Sequence, residues 1–342
     1  MAGHDLKAVL VGCGNMSKAW LNAATKMRGL AIVGMVDISI DAARRRAAEY
    51  QLPESVVFGS LAEALAATKP DMVFDVTIPA AHKSVTIEAL QAGCHVLGEK
   101  PMAEKLEDAQ QMVAAAKQAG KLYAVIQNRR YEPGIRRVRK TLDTGGIGSL
   151  AELHVDFYLG PHFGGFREEM AHPLLVDMAI HTLDAARFIS QADPVTVYCH
   201  GFNPAHSWYK GKTSAVAIFE MSDGIVFTYR GSWCAQGLHT TWEGQWRIIG
   251  SKGSLTWDGA QGIAAQQVRH TPGQYFGDAT NLDIPEVELE HTHHAGIIRE
   301  FVDCVRTGKT PLTICEDNIK SLAMVLAAVK SAESGQREKV VW

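Results

Sequence analysis

Short apolar runs alternate with longer amphipathic or alanine-rich segments along the first third of the chain. The apolar runs predict strands buried on both faces of a sheet, at residues 7–12, 30–36, 72–77, 95–98 and 122–126. The segments between them predict helices, among them residues 17–27, 60–68, 82–92 and 105–120. Strands that alternate with helices are typical of a doubly wound parallel α/β sheet. We therefore predict one domain of this class over residues 1–126.

After residue 126 the pattern changes to short runs in which polar and apolar residues alternate. These runs lie at residues 151–158, 195–200, 215–221, 225–233, 242–249 and 254–257. Period-two alternation indicates half-exposed strands, so we predict a large, mostly antiparallel sheet with one face apolar enough for a subunit interface. Two helices, 293–307 and 316–334, precede a short last strand. These elements predict a second, α+β domain over residues 127–342.

Composition argues against several classes of partner. The 342 residues are 46% hydrophobic and carry a formal net charge of −3, which gives no basic footprint for nucleic acid or an anionic membrane. The six cysteines lack the paired short spacing of zinc knuckles or disulfide frameworks. Neither a signal-like segment nor a bilayer-spanning apolar run is apparent. We therefore expect a cytoplasmic protein without nucleic-acid or membrane partners.

A glycine-rich turn follows the first predicted strand directly, with the sequence Gly12-Cys-Gly14-Asn15-Met16-Ser17. The first glycine permits a tight turn, the second lets the backbone approach a pyrophosphate, and the next helix offers its positive N-terminus to that anion. We predict cofactor contacts from Gly12, Gly14, Asn15 and Met16. Ser17 replaces the commoner third glycine, but a small residue still permits close packing. Alone, the motif is equally compatible with a simple chain turn.

The second predicted strand ends at Asp37, roughly 20 residues beyond Ser17, where an acid reads the adenosine ribose of a dinucleotide. Its carboxylate would repel a 2′-phosphate and no arginine follows directly, so we predict NAD in preference to NADP. NADP stays possible, since Arg44, Arg45 and Arg46 lie on the next helix. A run of arginines is, however, more often a solvated helix face.

Two further strand ends carry polar candidates for the cofactor groove: Thr77, Pro79 and His82 after one strand, and Glu99 and Lys100 after another. In open α/β sheets ligands bind outside the carboxyl ends of strands. Pro101 removes a backbone donor and fixes Lys100 at a strand-to-turn junction. The alternatives are an ordinary solvated strand end and an ordinary histidine near a helix N-terminus.

A predicted helix over residues 174–189 carries Asp177, His181 and Asp184 at spacings of i, i+4 and i+7, which place them on one face. An imidazole held by a carboxylate is a competent general base near neutral pH. The alternatives are a core histidine satisfied by its helix neighbours and an incomplete metal site. A third partner from elsewhere, such as Lys100, favours the catalytic interpretation.

Together these motifs resemble the Gfo/Idh/MocA family, the glucose-fructose oxidoreductase and inositol dehydrogenase group, over essentially the whole chain. Further marks of the resemblance are Arg130-Tyr131 with Pro133, Gly250-x-x-Gly253 and Ser334-Gly335. The resemblance implies a Rossmann domain and a mixed α/β domain whose sheet often mediates dimers or tetramers. It also implies NAD or NADP and redox chemistry at one carbon of a sugar, cyclitol or related polyol. Carried over, Lys100 contacts substrate and nicotinamide ribose, while Asp177 and His181 form the acid–base pair.

Substrate contacts are predicted from six residues: Arg130, Tyr131, His162, Arg167, His172 and Asp184. Three of these lie in or beside the loop at residues 161–173, which is rich in groups able to bond sugar hydroxyls but would also serve as a lid or packing loop. We predict no metal site, because His291, His293 and His294 lie at a helix start behind Thr292 as cap, without a matching cluster of acids or thiols.

We thus predict an NAD(P)-dependent oxidoreductase that transfers a hydride between nicotinamide and a secondary hydroxyl or ketone of a sugar, cyclitol or glycoside. A keto-sugar reductase and a redox-assisted glycoside-cleaving enzyme are alternatives within the same family. A non-catalytic NAD-binding sensor or structural subunit is the alternative from another class, because fold alone does not fix function. The intact set of Lys100, Asp177 and His181 favours an enzyme.

Overall fold

Six parallel strands form the first sheet of the computed structural model, which describes residues 5–342. They are β1 Leu6–Val11, β2 Leu30–Val36, β3 Val57–Phe58, β4 Met72–Asp75, β5 His95–Gly98 and β6 Tyr123–Val125. Their order is β3-β2-β1-β4-β5-β6. The strand order reverses between β1 and β4, so the carboxyl ends of these two neighbours flank the crevice where such sheets bind ligands. The predicted doubly wound sheet is confirmed, and only the two-residue edge strand β3 was missed.

Five helices connect these strands: α1 Ser17–Ala24, α2 Ile40–Glu49, α3 Leu61–Thr68, α4 Pro79–Gln91 and α5 Leu106–Ala119. Some of their ends show the expected capping chemistry. The Ser60 side chain accepts a hydrogen bond from the Glu63 amide at the start of α3. Gly120 ends α5 in the left-handed conformation, with a φ of 62°.

A second sheet has nine strands. They are β7 Leu150–Tyr158, β8 Pro194–Phe202, β9 Ser214–Met221, β10 Val226–Ser232, β11 Gln245–Gly250, β12 Gly253–Trp257, β13 Ile263–Arg269, β14 Asp278–Asn281 and β15 Glu338–Lys339. Their order is β14-β13-β12-β11-β7-β10-β9-β8-β15, and every neighbouring pair is antiparallel except β7 and β10. The predicted large antiparallel sheet is confirmed. The sequence pattern missed β13 and β14 because they are mostly exposed and carry no apolar alternation.

The remaining helices are α6 Pro133–Asp143, α7 Phe166–Glu169, α8 Ile180–Ser190, α9 His293–Thr307 and α10 Cys315–Ser334. A π-helical segment, Leu174–Ala179, leads directly into α8. The end of α10 covers one face of the second sheet, where the Cys199 amide donates to Ser331 Oγ at 2.8 Å. The opposite face exposes apolar side chains of β8 and β9, namely Tyr198, Phe202, Val216 and Ile218.

Contacts divide the described chain into two compact units. The first contains the residues up to Asn128 together with Glu290–Leu322, and the second contains Arg129–Leu289 and Ala323–Trp342. The sequence assigned residues 290–322 to the second domain, whereas α9 packs on α1 and β5 and therefore belongs to the first unit. The local sequence pattern of a helix does not show that it packs on a domain formed earlier in the chain. The limits of 1–126 and 127–342 stay predictions.

Within residues 5–342, no helix combines the length and the apolar character needed to cross a bilayer. The six cysteines are all buried and free.

Candidate active site

The two glycines of the β1–α1 turn have different roles. Gly12 has a φ of +96°, and a Cβ there would lie 2.4 Å from the Val76 carbonyl oxygen, so only glycine fits. Gly14 has no atom within 4 Å of the place where its Cβ would stand. The first glycine therefore permits close contact between two strand ends. The second leaves an open surface that fits the approach of a dinucleotide pyrophosphate.

Ser17 closes the same turn. Its buried hydroxyl donates to the Gly14 carbonyl at 2.6 Å, so the serine at the third-glycine position adds a hydrogen bond as well as saving space. The first turn of α1 carries no acidic residue, which leaves its positive end available to an anion. Asn15 and Met16 are exposed on this turn, where the predicted cofactor contacts require them to be.

Asp37 and Arg46 stabilise the glycine-rich turn through hydrogen bonds to its backbone. Asp37 Oδ2 accepts from the Cys13 amide at 2.8 Å. Arg46 is buried, and its Nη2 donates to the Gly14 carbonyl oxygen at 2.9 Å. The sequence pattern favoured a solvated helix face for Arg46, which is wrong because its buried guanidinium supports the turn. The alternative of a phosphate ligand stays a prediction. Arg44 is bonded to Glu54 and Asp41, and the hydrogen bond to Glu54 and the nearby negative charges raise the pKa of Arg44.

A buried cluster surrounds Asp75 at the end of β4. Its carboxylate accepts from the Thr77 hydroxyl at 2.6 Å and the Thr86 hydroxyl at 3.2 Å, and lies 3.1 Å from His82 Nδ1. His82 is 1% exposed, and its contact with cofactor stays a prediction. Half-buried Pro79 begins α4 beside the cluster. The sequence pattern missed Asp75 because it ends an otherwise apolar strand.

Glu99 anchors the backbone before Lys100. Its Oε1 accepts from the Trp20 indole at 2.8 Å and lies 3.7 Å from His294 Nε2, while its Oε2 accepts from the Lys100 amide at 3.1 Å. Burial raises the pKa of Glu99, but hydrogen bonds from His294 and Trp20 and nearby positive charge outweigh it, so the pKa lies below its ordinary value. Sequence reasoning missed Trp20 and His294. No local spacing connects them to Glu99.

The two carboxylates of the predicted helix lie in different elements and pair with different arginines. Asp177, in the π-helical turn at Leu174–Ala179, is half-buried and accepts from Arg167 Nε at 2.6 Å. Asp184, in α8, is fully buried and accepts from Arg130 Nε and Nη2 at 2.8 and 2.7 Å. Half-buried His181 lies near the start of α8. Single π turns occur frequently at functional sites.

Four of the six predicted substrate residues are buried: Arg130, Tyr131, His172 and Asp184. Arg130 and Asp184 satisfy each other, and His172 Nε2 lies 3.2 Å from Glu333 Oε1. Contact of these four residues with substrate stays a prediction. His162 and Arg167 remain at the surface, where the His162 ring stacks on Trp208 at 3.8 Å.

The histidines around the start of α9 have different neighbours. His294 faces Glu99, whereas His291 approaches only its neighbour Glu290, at 3.4 Å. Thr292 occupies the predicted cap position without a side-chain capping bond. Over residues 5–342, no group of three or more histidine, cysteine or acidic residues is arranged to hold a metal ion.

Comparisons with known proteins agree with the two-part organisation. Residues 6–127 match the family model described as an oxidoreductase family with an NAD-binding Rossmann fold. Residues 135–256 match the model of the GFO/IDH/MocA C-terminal domain. A crystal structure of an oxidoreductase from Agrobacterium radiobacter, in complex with NAD+, L-tartaric acid and magnesium, has the same fold with a TM-score of 0.85. It is 23% identical, with 98% of each chain covered.

Relatives cover nearly the full length. The oxidoreductase YceM of Salmonella typhimurium is 32% identical to this chain, over 97% of this chain and 99% of its own. D-apiose dehydrogenase of Paraburkholderia graminis is 28% identical, over 96% of this chain and 88% of its own. The chain therefore belongs to the Gfo/Idh/MocA family of NAD-binding oxidoreductases.

Proposed function

We propose that this protein oxidises a secondary hydroxyl of a sugar, cyclitol or glycoside with NAD, or reduces the corresponding ketone. The observation that carries the proposal is the π-helical turn, which holds a half-buried carboxylate four residues before the half-buried imidazole of His181. A base that removes a hydroxyl proton and an acid beside it are the groups that this chemistry requires. Relatives named D-apiose dehydrogenase and scyllo-inositol 2-dehydrogenase act on compounds of this chemical class.

We assign NAD binding to the glycine turn and to Asp37. The open face of Gly14 and the uncapped start of α1 suit a pyrophosphate, and Asp37 stands at the end of β2 where a ribose is read. When bound, nicotinamide supplies the hydride acceptor. NAD is favoured over NADP because the Asp37 charge repels a 2′-phosphate and both Arg44 and Arg46 are already bonded within the protein.

Three side chains supply the proposed chemistry. His181 removes the hydroxyl proton, and Asp177 orients the ring and stabilises its protonated form. Lys100 polarises the reacting oxygen and stabilises developing negative charge. The amide of Lys100 is fixed by the buried Glu99 carboxylate, which supports a positioned side chain at this strand end. Reduction uses the same groups in reverse.

We further infer a homodimer or homotetramer formed through the second sheet. Its outer face exposes Tyr198, Val216 and Ile218 at 44%, 41% and 47% on two adjacent strands. Contiguous exposed apolar surface of this kind is typical of an interaction site. Light scattering of the wild type and of a Val216→Lys, Ile218→Lys variant tests the inference, and an unchanged mass would reject it.

A panel of sugars, inositols and glycosides, assayed with NAD and NADP by nicotinamide absorbance, tests the proposed function. We expect turnover with one of these classes and tighter binding of NAD than of NADP. Tight NAD binding without turnover on any member would favour a sensor or structural subunit. Equal or tighter NADP binding would overturn the cofactor assignment.

A further inference from the structure

Arg167 is held between the candidate acid and two phenyl rings. Its Nε donates to Asp177 Oδ2 at 2.6 Å. Its guanidinium carbon lies 5.1 Å from the ring centre of Phe163 and 4.8 Å from that of Phe166. Stacking on aromatic rings and a charge-assisted hydrogen bond together restrict the plane of a guanidinium. The side chain therefore has a defined orientation beside Asp177.

Hydrogen bonds hold the segment that carries Arg167 on both sides of that residue in the sequence. The Tyr209 hydroxyl donates to the Pro161 carbonyl at 2.8 Å, and the Lys210 amide donates to the Glu168 carbonyl at 2.9 Å. A Cβ on Gly211 would lie 2.0 Å from the Met170 carbonyl oxygen, so the two chain segments are in close contact there. The loop is therefore a fixed platform for the guanidinium.

The two terminal nitrogens of the Arg167 guanidinium are available to donate hydrogen bonds to a ligand. Among residues 5–342, Nη1 and Nη2 of Arg167 have no hydrogen-bond or ion-pair partner, and the side chain is 34% exposed. Phe163 and Phe166 beside it are 46% and 67% exposed. Exposed phenyl rings are costly in water unless a ligand covers them. The arrangement offers an anion two parallel donors with an apolar border.

The nearby acids are engaged elsewhere. Glu169 Oε2 lies 2.6 Å from Lys210 Nζ, and Glu168 Oε1 accepts from the Gly164 amide at 2.9 Å. Asp177 occupies only the Nε side of the guanidinium. A second carboxylate can therefore bind the opposite edge, with the Arg167 charge between it and Asp177.

We propose that Arg167 binds a carboxylate of the substrate, so that the substrate is a sugar acid, a uronate or an aldonate, and not a neutral sugar. This inference rests on the proposed function. The fork of a guanidinium matches the two oxygens of a carboxylate, whereas a hydroxyl uses one donor and carries no charge. Hydrogen bonds to charged groups predict a preference of about 10- to 100-fold over the matched neutral sugar.

Matched sugars that differ only at C6 test the proposal. D-glucuronate and D-galacturonate are compared with D-glucose and D-galactose, both as substrates with NAD and as ligands of the enzyme–NADH complex by calorimetry. Variants Arg167→Met and Arg167→Lys are compared with Arg269→Met, which removes an exposed arginine of β13 that has no role in the proposed site. The readout is the acid-to-neutral ratio of dissociation constants in Arg167→Met and in the double variant Arg167→Met, Asp177→Asn, because an uncompensated Asp177 charge would itself repel an anionic sugar.

We expect the wild type and Arg269→Met to prefer the acids in kcat/KM and in Kd, and Arg167→Met to lose that preference whether or not Asp177 is neutralised. Arg167→Lys should keep only part of it, because one ammonium cannot bind both oxygens. A wild-type ratio near one, or a ratio that survives in Arg167→Met, would overturn the proposal. A preference for the 6-phosphates of these sugars would overturn it as well. Failure of every sugar to reduce NAD would count against the proposed function, whereas the calorimetric ratio would still decide the role of Arg167.

Discussion

The glycine turn after β1 and the π-helical turn before α8 are built in different ways. Backbone groups, a buried arginine and a buried serine hold the glycine turn, and it presents an open backbone surface. The π-helical turn presents half-buried side chains whose charge is balanced by a partly exposed arginine on a neighbouring loop. The first arrangement suits binding, and the second suits moving a proton and recognising a substrate. Changes to the two turns should therefore have separable effects.

The largest expected effect distinguishes the two carboxylates near the second turn. Asp184→Asn leaves the buried Arg130 charge without its partner, so the free energy of unfolding should fall by about 3–5 kcal/mol. Asp177→Asn, whose partner is a third exposed, should cost about 1 kcal/mol or less in stability. Its turnover should instead fall sharply. Denaturant titration and steady-state assays of both variants measure the difference, and equal stability losses would contradict it.

Two alanine substitutions in the glycine turn should separate an effect on stability from an effect on NAD binding. Gly12→Ala combines a φ of +96° with a contact 2.4 Å from the Val76 carbonyl oxygen, so it should destabilise the fold by about 1–3 kcal/mol. Gly14→Ala meets no atom within 4 Å and should leave the melting temperature unchanged. It should weaken NAD binding by about tenfold, or 1.4 kcal/mol. If Gly14→Ala binds NAD normally, the pyrophosphate does not approach that face.

The smallest expected effect concerns pH. His172 lies at the start of the π-helical turn, where its carbonyl accepts from the Val176 amide at 3.0 Å. Burial lowers the pKa of His172, the bond to Glu333 opposes this, and Lys212 adds to the lowering. The unfolded chain then binds the extra proton more readily, so stability should fall as pH drops below about 6.5.

A His172→Gln variant should lose less stability than the wild type over that pH interval, because it cannot take up the proton. Thermal unfolding across the interval measures this. Identical pH profiles would show that other groups control the response.

The glycine turn could be predicted because its constraints are local. The turn requires a positive φ at Gly12, a hydroxyl at Ser17 and an acid at Asp37. All three residues lie within one strand–turn–helix–strand segment of the sequence. The same holds for the Ser60 cap. The backbone can adopt these conformations only with particular residue types, so the residue types reveal them.

Pairings between buried polar side chains could not be predicted in this way. Trp20 meets Glu99 across 79 positions of sequence, and Arg130 meets Asp184 across 54. Taken alone, each of these polar residues could equally face solvent, bind a ligand or pair with another charged group. The helix spacing also did not reveal the π-helical turn at Leu174–Ala179, because such a turn has no recognised sequence signal.

The central claim is that His181 supplies the base while the glycine turn independently holds NAD. Turnover and NAD affinity of His181→Ala test it directly, with exposed His270→Ala as the matched control. We predict a turnover reduced by about 10²- to 10⁴-fold, an NAD dissociation constant equal to that of the wild type, and a control that behaves as wild type. Near-normal turnover in His181→Ala would contradict the claim and reassign the base.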